Sequence, residues 1–370
     1  MTIVAKLTNL IKSCRFRGFS QLAYSYLYQK AYKYYAKRND IVMRNLSVKE
    51  FKRKWNSLGR VWETISYRYF ANYMDNLSDI VPESIGRTCI EYFLNPIPYR
   101  TYYSDKNMFA SICGKENVVT TIACRINGGQ LLDGDLKPIK SSLDVLLEDY
   151  DKVLLKPSID SKGGSGIMLF KRDGNVFRSG DVLLNEAMLM NYGDDFAVQE
   201  LVEQHNELAS LNPSSVNTLR VAVYRSITDE KAHVIASFIR IGSAGMFVDN
   251  ACLGGKYAGV DIDTGRVAAS LRDMNGGIYT SHNGIDFSKL EFYIPGWQII
   301  KDKCLEIAEK IVHHRLIAFD MTLTNDMKPI LIEFNVESYN YGSFMYTNQS
   351  PLGNFKEEIL DYCKKRLTRK

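Results

Sequence analysis

Several features are missing from this sequence of 370 residues, and each absence excludes a class of protein. No apolar run approaches the roughly 18 to 20 residues that a membrane-spanning helix needs. No cleavable signal pattern begins at Met1. The seven cysteines are odd in number and form no CxxC or Cys/His cluster, which argues against a disulfide framework and a zinc site. We therefore expect a cytoplasmic protein in a reducing compartment, not an integral membrane protein.

Two common catalytic patterns are also missing. The sequence contains no G-x-x-x-x-G-K-[ST] loop and no obvious Ser-His-Asp or Cys-His arrangement. What remains is ordinary for a globular protein, with 45% hydrophobic and 24% charged residues. A chain of this length can bury one large core or roughly two to three subdomains.

Positive charge is concentrated at the start of the chain. Residues 1–60 carry fourteen lysines and arginines against Asp40 and Glu50, a local charge of +12, so the remainder sums to −7. Six tyrosines are interleaved with lysines there, a pattern typical of a basic aromatic helix on an anionic membrane surface. A helical cap on the globular body explains the same pattern. Nucleic-acid binding is disfavoured because no reading module accompanies the charge.

The order of apolar runs predicts an α+β fold with mainly antiparallel sheets. Strands are predicted at 118–123, 153–155, 167–170, 197–201, 219–224, 234–241, 316–323 and 330–334. Helices are predicted at 47–76, 141–150, 181–190, 295–313 and 354–367. This order suggests a basic helical extension at 1–62, an accessory or lid segment at 63–103, and two α+β subdomains at 104–200 and 201–370.

A cluster of oxygen ligands is predicted where the stretch containing Asp320 and Asn335 reads as two apolar strands joined by a polar turn. Folding it midway between Asp326 and Met327 sets Asp320 directly opposite Glu333, and period-2 alternation puts Asn335 on the same face. Like charges directly opposed on a ladder are destabilising, so the pattern favours a hard cation that takes oxygen ligands. A hairpin with a solvated acidic face is the alternative.

A phosphate cover is predicted after Lys156, which ends an apolar strand. The glycine-rich loop that follows contains Gly163, Gly164, Ser165 and Gly166. The backbone N–H groups of such a loop can fold over an anion, and the strand-end lysine supplies a positive charge to the same anion. A plain hairpin turn is the alternative.

The strand around Glu200 has the features of an adenine-binding edge. Glu200 and Val202 offer backbone donors and acceptors, and Glu207 offers a carboxylate for a ribose a few residues later. An amphipathic strand with exposed glutamates is the alternative.

Three further polar residues, Arg220, Arg240 and Asn250, interrupt apolar strand patterns. Arginines in such strands are costly unless they pair with a carboxylate or a phosphate. They therefore predict either an anion site or structural salt bridges.

Together these motifs resemble the ATP-grasp superfamily of carboxylate–amine ligases. The matching order is a strand-end lysine with a glycine-rich loop, a Gln-Glu-x-Val segment, strand arginines, an Arg…Asn…Gly-Gly segment and a final Asp…Glu-x-Asn hairpin. The segment from Leu211 to Arg220 resembles the sugar-transfer-associated ATP-grasp group found among bacterial surface-polysaccharide genes. The resemblance covers about residues 100 to 355 and implies two α+β subdomains that grip ATP.

The resemblance implies a nucleotide site. Lys106 and Lys156 would hold the ATP phosphates, and the glycine-rich loop would close over them. Glu200 and Val202 would bind the adenine through their backbones, with Glu207 at the ribose.

The resemblance also implies the reacting centre. Asp320, Glu333 and Asn335 would bind Mg²⁺, with Mn²⁺ as an alternative. Arg220 and Arg240 would stabilise the transferring phosphoryl group and the acyl phosphate. Asn250 belongs to the same catalytic set.

The function implied is an ATP-dependent ligase that joins a small-molecule or glycan carboxylate to an amine through an acyl phosphate, in bacterial surface-polysaccharide (capsule) biosynthesis. One alternative is a phosphotransferase that acts on a sugar or lipid hydroxyl, with Asp249 or His282 as general base. The other is a non-catalytic nucleotide-binding scaffold at the membrane surface. Residues 1–45 would hold the protein at the inner face of the plasma membrane.

Overall fold

A computed structural model describes residues 17–159, 164–247, 249 and 254–368, with the side chains of the first helix described from Ser20 onward. The strands β1 to β16 are Thr121–Arg125, Leu132–Asp133, Lys152–Pro157, Met168–Asp173, Val176–Ser179, Val182–Leu183, Phe196–Glu200, Leu219–Arg225, Ala232–Ile241, Lys256–Gly259, Leu271–Arg272, Ile278–Tyr279, Ser281–His282, Ile285–Asp286, Leu316–Leu323 and Pro329–Asn335.

The helices α1 to α13 are Arg17–Arg38, Lys49–Trp55, Thr64–Phe70, Glu83–Ile85, Glu91–Leu94, Arg100–Ser104, Phe109–Cys113, Leu143–Leu146, Glu186–Tyr192, Asn206–Leu211, Trp297–Lys310, Tyr341–Tyr346 and Lys356–Thr368. A π-helical turn at Gly86–Ile90 joins α4 to α5. None of the described helices is long and apolar enough to cross a membrane.

Two seven-stranded sheets form the body of the molecule. The first has the order β2-β1-β7-β3-β4-β5-β6 and the second the order β12-β11-β10-β9-β8-β15-β16. Neighbouring strands in both sheets pair antiparallel. The predicted α+β class with antiparallel sheets is thus confirmed.

The centre of the second sheet is buried on both faces, because all eight residues of β15 are buried. Leu316 and Ala318 face the core that the sheet shares with the N-terminal helices. Ile317 and Phe319 face a second core that is closed by α11. Since side chains alternate along a strand, Asp320 points to the face covered by the N-terminal helices.

The N-terminal helices are built into this first core. Tyr32 and Ala36 of α1 are 3% and 5% exposed and pack with residues of α3 and of the second sheet. No proline or glycine interrupts α1 after Gly18, which suits a long helix. Tyr26 and Tyr34 remain exposed at 67% and 59%. One face of α1 is therefore a structural cap on the globular body, which was one of the two interpretations of the basic, tyrosine-rich segment. The predicted domain boundaries stay a prediction.

The predicted helix at 47–76 is wrong in extent, because two helices, α2 and α3, occupy it. The chain between them passes close to α1. A Cβ atom at Gly59 would meet the Gln21 side chain at 2.6 Å, so the backbone there follows the neighbouring helix. The predicted helix at 141–150 is also too long, since only Leu143–Leu146 is α-helical.

Candidate functional site

A cleft of about 1450 Å³ lies between the two sheets and is lined by both. Ten of the residues that the sequence predicts for the site line this cleft: Lys106, Lys156, Gly164, Glu200, Val202, Arg220, Arg240, Asp320, Glu333 and Asn335. Their strands come from different parts of the chain. The tertiary fold therefore brings the two lysines, the two arginines and the hairpin to one place.

Asp320 is the most deeply buried charge in the cleft, at 1% exposure. Its Oδ1 accepts a hydrogen bond from Arg220 Nε at 2.6 Å, and its Oδ2 accepts one from Arg220 Nη2 at 2.7 Å. Arg240 Nη2 approaches the same Oδ2 at 2.9 Å. Burial alone would raise the pKa of Asp320, but the two guanidinium groups outweigh it and hold the pKa below its usual value.

The register of the second sheet explains this cluster. Asp320 pairs with Arg220 across β15 and β8, and directly paired residues project from the same face. Arg240 lies on β9, two residues beyond the Phe238 that pairs with Arg220, so it too points to this face. Three adjacent strands therefore place two cations around one carboxylate.

Asp249 extends the cluster on the Arg240 side. Its Oδ2 accepts hydrogen bonds from the Thr218 hydroxyl and from the Thr218 N–H, the latter at 3.1 Å. It also lies 3.5 Å from Arg240 Nε, and Arg240 Nε donates to the Thr218 hydroxyl at 2.9 Å. Burial opposes the charge of Arg240, but Asp249 and Asp320 outweigh it and raise its pKa above the ordinary value.

The predicted pairing of Asp320 with Glu333 is confirmed, although the path to it differs. Leu323 pairs with Pro329, so the turn is centred on Asp326 rather than between Asp326 and Met327. A bulge then skips Ile332 and restores the pairing. The bulge turns both Ile332 and Glu333 toward the cleft, which adds an apolar residue to its wall.

The two facing carboxylates do not repel as the sequence suggested, because each has its own cation. Glu333 Oε1 lies 3.2 Å from Lys106 Nζ, and Lys106 is only 6% exposed. The backbone of Lys106 is fixed as well. Its backbone N–H donates to the carbonyl oxygen of Ser158, the residue directly after β3, at 3.0 Å. Lys106, which the resemblance assigned to the ATP phosphates, therefore lines the cleft beside Glu333.

Lys156 is also 6% exposed, and no carboxylate of the described residues lies within 4 Å of its ammonium group. Burial and, to a smaller extent, the charge of Lys106 lower the pKa of Lys156 to about 8, although Glu333 partly opposes the shift. Two buried lysines that repel each other bind a shared anion well, since the anion relieves both desolvation and repulsion. This pair is the strongest indication of a phosphate site in the cleft.

Asn335 completes the hairpin side of the cleft. Its amide nitrogen is buried and has no hydrogen-bond partner among the residues that the structure describes. No three His, Cys, Asp or Glu side chains of the described residues are grouped as a metal cage. The predicted metal set is thus two carboxylates and an amide, of which Asp320 is engaged by arginines and Glu333 by a lysine.

The predicted adenine edge lies in the cleft, but the predicted ribose residue does not. Glu200 ends β7, and its Oε1 accepts a hydrogen bond from the Thr120 hydroxyl at 2.6 Å. Glu207 is in α10, is exposed, and is not among the lining residues. Glu203, four residues earlier, lines the cleft instead. The prediction for Glu207 is corrected because the chain leaves the cleft where the helix begins.

Only part of the glycine-rich loop is described. Gly164 lines the cleft, whereas Ser165 and Gly166 do not. Gly166 has φ +81° and its carbonyl oxygen accepts a hydrogen bond from the Tyr192 hydroxyl at 2.6 Å, so this end of the loop is tied to α9. Gly163 and Asn250 lie outside the described residues.

Comparison with solved structures gives a set of ligases with low sequence identity. The ADP complex of carboxyaminoimidazole ribonucleotide synthetase has 12% identity and a TM-score of 0.41 over 70% of this chain and 52% of its own. The D-alanine–D-alanine ligase from Coxiella burnetii has 12% identity and a TM-score of 0.39, over 73% and 59%. D-cycloserine synthetase has 7% identity and a TM-score of 0.39, over 80% and 78%. The chain spans about half the length of the first of these proteins.

Two antiparallel sheets with lysines and arginines in the cleft between them agree with the resemblance to the ATP-grasp superfamily. No curated protein matches the sequence. The family model for sugar-transfer associated ATP-grasp proteins matches residues 90–359, and the chain belongs to that family.

Proposed function

We propose that this protein joins a carboxylate to an amine at the expense of ATP, through an acyl phosphate. The observation that carries the proposal is the meeting of four cationic side chains in one cleft, Lys106, Lys156, Arg220 and Arg240. The two lysines would hold the ATP phosphates. The two arginines, which already contact Asp320, would stabilise charge on the group in transfer.

The chemistry requires positioning and charge neutralisation rather than a protein nucleophile. A carboxylate oxygen of the substrate attacks the γ-phosphorus, the bond to ADP breaks, and an acyl phosphate forms. The amine then attacks the acyl carbon, the amide bond forms, and phosphate leaves with the former carboxylate oxygen. Arg220 and Arg240 neutralise the negative charge in both steps and cost little reorganisation, because buried hydrogen bonds fix them in advance.

The residues fit a divalent cation in part. Glu333 faces the cleft at one-third exposure, and the Asn335 side chain has an unpartnered buried amide nitrogen, so both can reorient toward an ion. We propose that Glu333 and Asn335 would hold Mg²⁺, or Mn²⁺, together with Asp320, whose Oδ1 accepts only one hydrogen bond from the described residues. Such an ion would neutralise charge on the β- and γ-phosphates when bound.

The adenine is proposed to lie against Glu200 and Val202. The N–H of Val202 donates to no group among the described residues, and Ile332 supplies an apolar surface nearby in the same cleft. Glu203 replaces Glu207 as the carboxylate proposed for the ribose, because Glu203 lines the cleft.

The ligase proposal is tested by trapping the intermediate with hydroxylamine, which replaces the unknown amine. The protein is incubated with Mg·ATP, hydroxylamine, and a panel of hexuronic and amino acids. A hydroxamate, ADP and phosphate in equal amounts are expected with at least one acid, and none with Glu333→Gln. With an ¹⁸O-labelled carboxylate, one ¹⁸O should appear in the phosphate. ADP and phosphorylated acceptor without free phosphate would instead identify a phosphotransferase.

The arrangement of the two candidate bases favours the ligase. Asp249 already accepts hydrogen bonds from the hydroxyl and the N–H of Thr218 and lies beside Arg240, which makes its carboxylate a poor base. His282 lies outside the cleft lining, and its Nε2 is hydrogen-bonded to the Gly242 carbonyl at 3.0 Å.

We propose that the carboxylate belongs to a sugar acid of a surface polysaccharide.

We also propose that α1 contacts an anionic membrane. This second proposal is supported by the exposed face of α1, where Tyr26 and Tyr34 lie with Lys30, Lys33 and Lys37. Deletion of residues 1–45 would uncover the core at Tyr32, so the sharper variant replaces the three lysines by glutamate. Sedimentation with anionic liposomes at low salt should be lost in this variant. Equal sedimentation of both proteins would contradict the contact.

A further inference from the structure

The wall of the cleft beside the hairpin is formed by residues from the N-terminal helices. Tyr24, Leu27, Tyr28 and Arg87 all line the cleft. They precede residue 90, where the match to the family model begins. They reach the site because the N-terminal helices cover the same face of the second sheet from which Asp320 projects. This wall is therefore a feature of this chain and not of the stretch that the family model describes.

Arg87 is the cation of this wall. Its Nε donates to the Tyr28 hydroxyl, and its Nη1 donates to the Ser338 hydroxyl at 3.3 Å. No carboxylate of the described residues lies within 4 Å of its guanidinium, so both direct partners are neutral. Burial opposes the charge of Arg87, but its neighbours Tyr28, Glu91 and Glu83 outweigh burial and raise its pKa above the ordinary value.

The nearby carboxylates are engaged elsewhere. Glu91 accepts the N–H groups of Ser338 and Tyr339 at 3.0 and 3.3 Å, and Glu83 Oε1 accepts the N–H of Gly342 at 3.2 Å. They hold the loop after β16 rather than the arginine. A guanidinium that donates only to hydroxyl groups has donors left for an oxyanion, to which it binds more strongly.

The backbone on both sides of Arg87 is unusual. Arg87 lies in the π-helical turn Gly86–Ile90, and such turns are frequent at functional sites. Opposite it, Ser338 and Asn340 both line the cleft in the left-handed region, with φ of 57° and 70°. Left-handed conformations of residues other than glycine persist where the surroundings enforce them. Here the carboxylate of Glu91 enforces the loop, which points Ser338 toward Arg87.

Aromatic rings complete the wall. Tyr24 and Tyr28 are stacked with centroids 6.2 Å apart, and the guanidinium carbon of Arg87 lies 5.8 Å from the Tyr24 ring. Leu27 adds an aliphatic surface. A cation flanked by flat apolar faces suits a ring that carries an anionic substituent.

We propose that Arg87, together with Tyr24, Tyr28 and Ser338, binds an oxyanion on the ring of the acid substrate and so selects that substrate. The proposal rests on the proposed ligase function. If the free sugar acid binds, the oxyanion is the reacting carboxylate itself, which Arg87 holds before it is phosphorylated. If the sugar is carried on a phosphorylated group, the oxyanion is that phosphate. The remaining ring surface would pack on the tyrosines.

The test measures binding by calorimetry to the full chain saturated with Mg·ADP. The probes are glucuronate, glucose 1-phosphate and neutral methyl glucoside, which share a ring and differ in the anionic group. We expect at least one anionic probe to bind, with at least tenfold weaker binding in Arg87→Met, partial recovery in Arg87→Lys, and no binding of the methyl glucoside. The anionic probe that binds identifies a carboxylate or a phosphate.

Arg225→Met is the matched control. Arg225 is a partly buried arginine of β8 that donates to the Ala308 carbonyl at 2.7 Å, lies 3.4 Å from Glu309 and is outside the cleft lining. The Arg225→Met variant should lower the stability of the protein without changing its affinity for the probes. Equal affinities in wild type and Arg87→Met, equal binding of the neutral sugar, or no binding of either anion would each overturn the subsite. Failure of the wild type to bind Mg·ADP would instead overturn the proposed function.

Discussion

Two groups of buried carboxylates in this molecule differ in what balances their charge. Asp320 accepts hydrogen bonds from two guanidinium groups, and its pKa lies below the usual value in spite of burial. Glu63 and Glu83, beneath the N-terminal helix, accept one backbone N–H each, from Ser84 at 2.8 Å and from Gly342 at 3.2 Å. Burial raises the pKa of Glu63 to about 8 and that of Glu83 to about 7.

Hydrogen bonds from neutral donors therefore do not replace a counterion in a buried site. A neutral N–H or hydroxyl stabilises a carboxylate less than a guanidinium does, and burial raises the pKa of Glu83 although both the Gly342 N–H and the Tyr32 hydroxyl donate to it. Arg87 lowers the pKa of Glu83 but does not reverse the effect of burial. The cleft thus keeps its carboxylate ionised at neutral pH, whereas the helical layer tolerates carboxyl groups that hold their protons.

The largest expected effect comes from removing the negative charge of Asp320, the shared counterion of Arg220 and Arg240. Asp320→Asn leaves Arg220 and Arg240 buried side by side without their shared anion, and we expect the free energy of unfolding to fall by about 3 to 5 kcal/mol. Hydroxamate formation should be lost as well. The measurement is urea unfolding at pH 7, followed by circular dichroism. A variant more stable than the wild type, as simple repulsion between Asp320 and Glu333 would require, would contradict the ion-pair account.

A smaller effect is expected from Glu63. The folded protein holds a proton on this carboxyl up to about pH 8, while the unfolded chain releases it near pH 4.5, so the native state binds more protons between these values. The stabilisation from this group must therefore be complete below pH 4.5 and decline as the pH rises toward 8.

Glu63→Gln keeps the acceptor for the Ser84 N–H and removes the proton. Urea unfolding at pH 5.5, 7.0 and 8.5 should show a weaker pH dependence in this variant than in the wild type. Glu83→Gln should also weaken the pH dependence of stability, but over a pH range that ends near pH 7. Parallel slopes in all three proteins would mean that these carboxyl groups are ionised when buried.

The smallest effect concerns nucleotide affinity at Lys156, a buried cation without a close carboxylate. Because its folded pKa is about 8, the free protein loses this charge above that pH, and affinity for Mg·ADP should fall as the pH rises from 7.5 to 9. Lys156→Met should bind about tenfold more weakly at pH 7.5 and lose most of this pH dependence. Lys115→Met, a change at an exposed lysine outside the cleft, is the control. An unchanged pH profile in Lys156→Met would remove Lys156 from the phosphate site.

The hairpin of β15 and β16 shows how much of the site could be predicted from the sequence. Two apolar runs joined by a polar turn predicted both strands, and β15 begins and ends where predicted. The pairing of Asp320 with Glu333 was also correct, but the centre of the turn was displaced and the bulge at Ile332 was missed. Nothing in a period-2 pattern marks a bulge, since the skipped residue is apolar like its neighbours. Its effect on the cleft is visible only in the paired strands.

The cleft residues that lie between strands were harder to predict from the sequence. Glu207 and Glu203 have the same chemistry and lie four positions apart, and only the start of α10 decides which of them faces the cleft. Arg87, Tyr24 and Tyr28 carried no motif, because their role depends on which face of the sheet the N-terminal helices cover. An arginine among apolar residues at 85–90 was the one available signal.

The sequence by itself determined the fold class and most of the charged residues of the cleft, because strand periodicity and the energetic cost of buried charge are local properties. The ATP-grasp family came from the resemblance of the ordered motifs. Only the tertiary structure decided which charges meet. Ion pairing depends on distances between strands remote in sequence, such as the contact of Arg220 with Asp320 one hundred residues later. It also decided that the N-terminal helices form one wall of the cleft, since helix packing depends on the faces left exposed by both sheets.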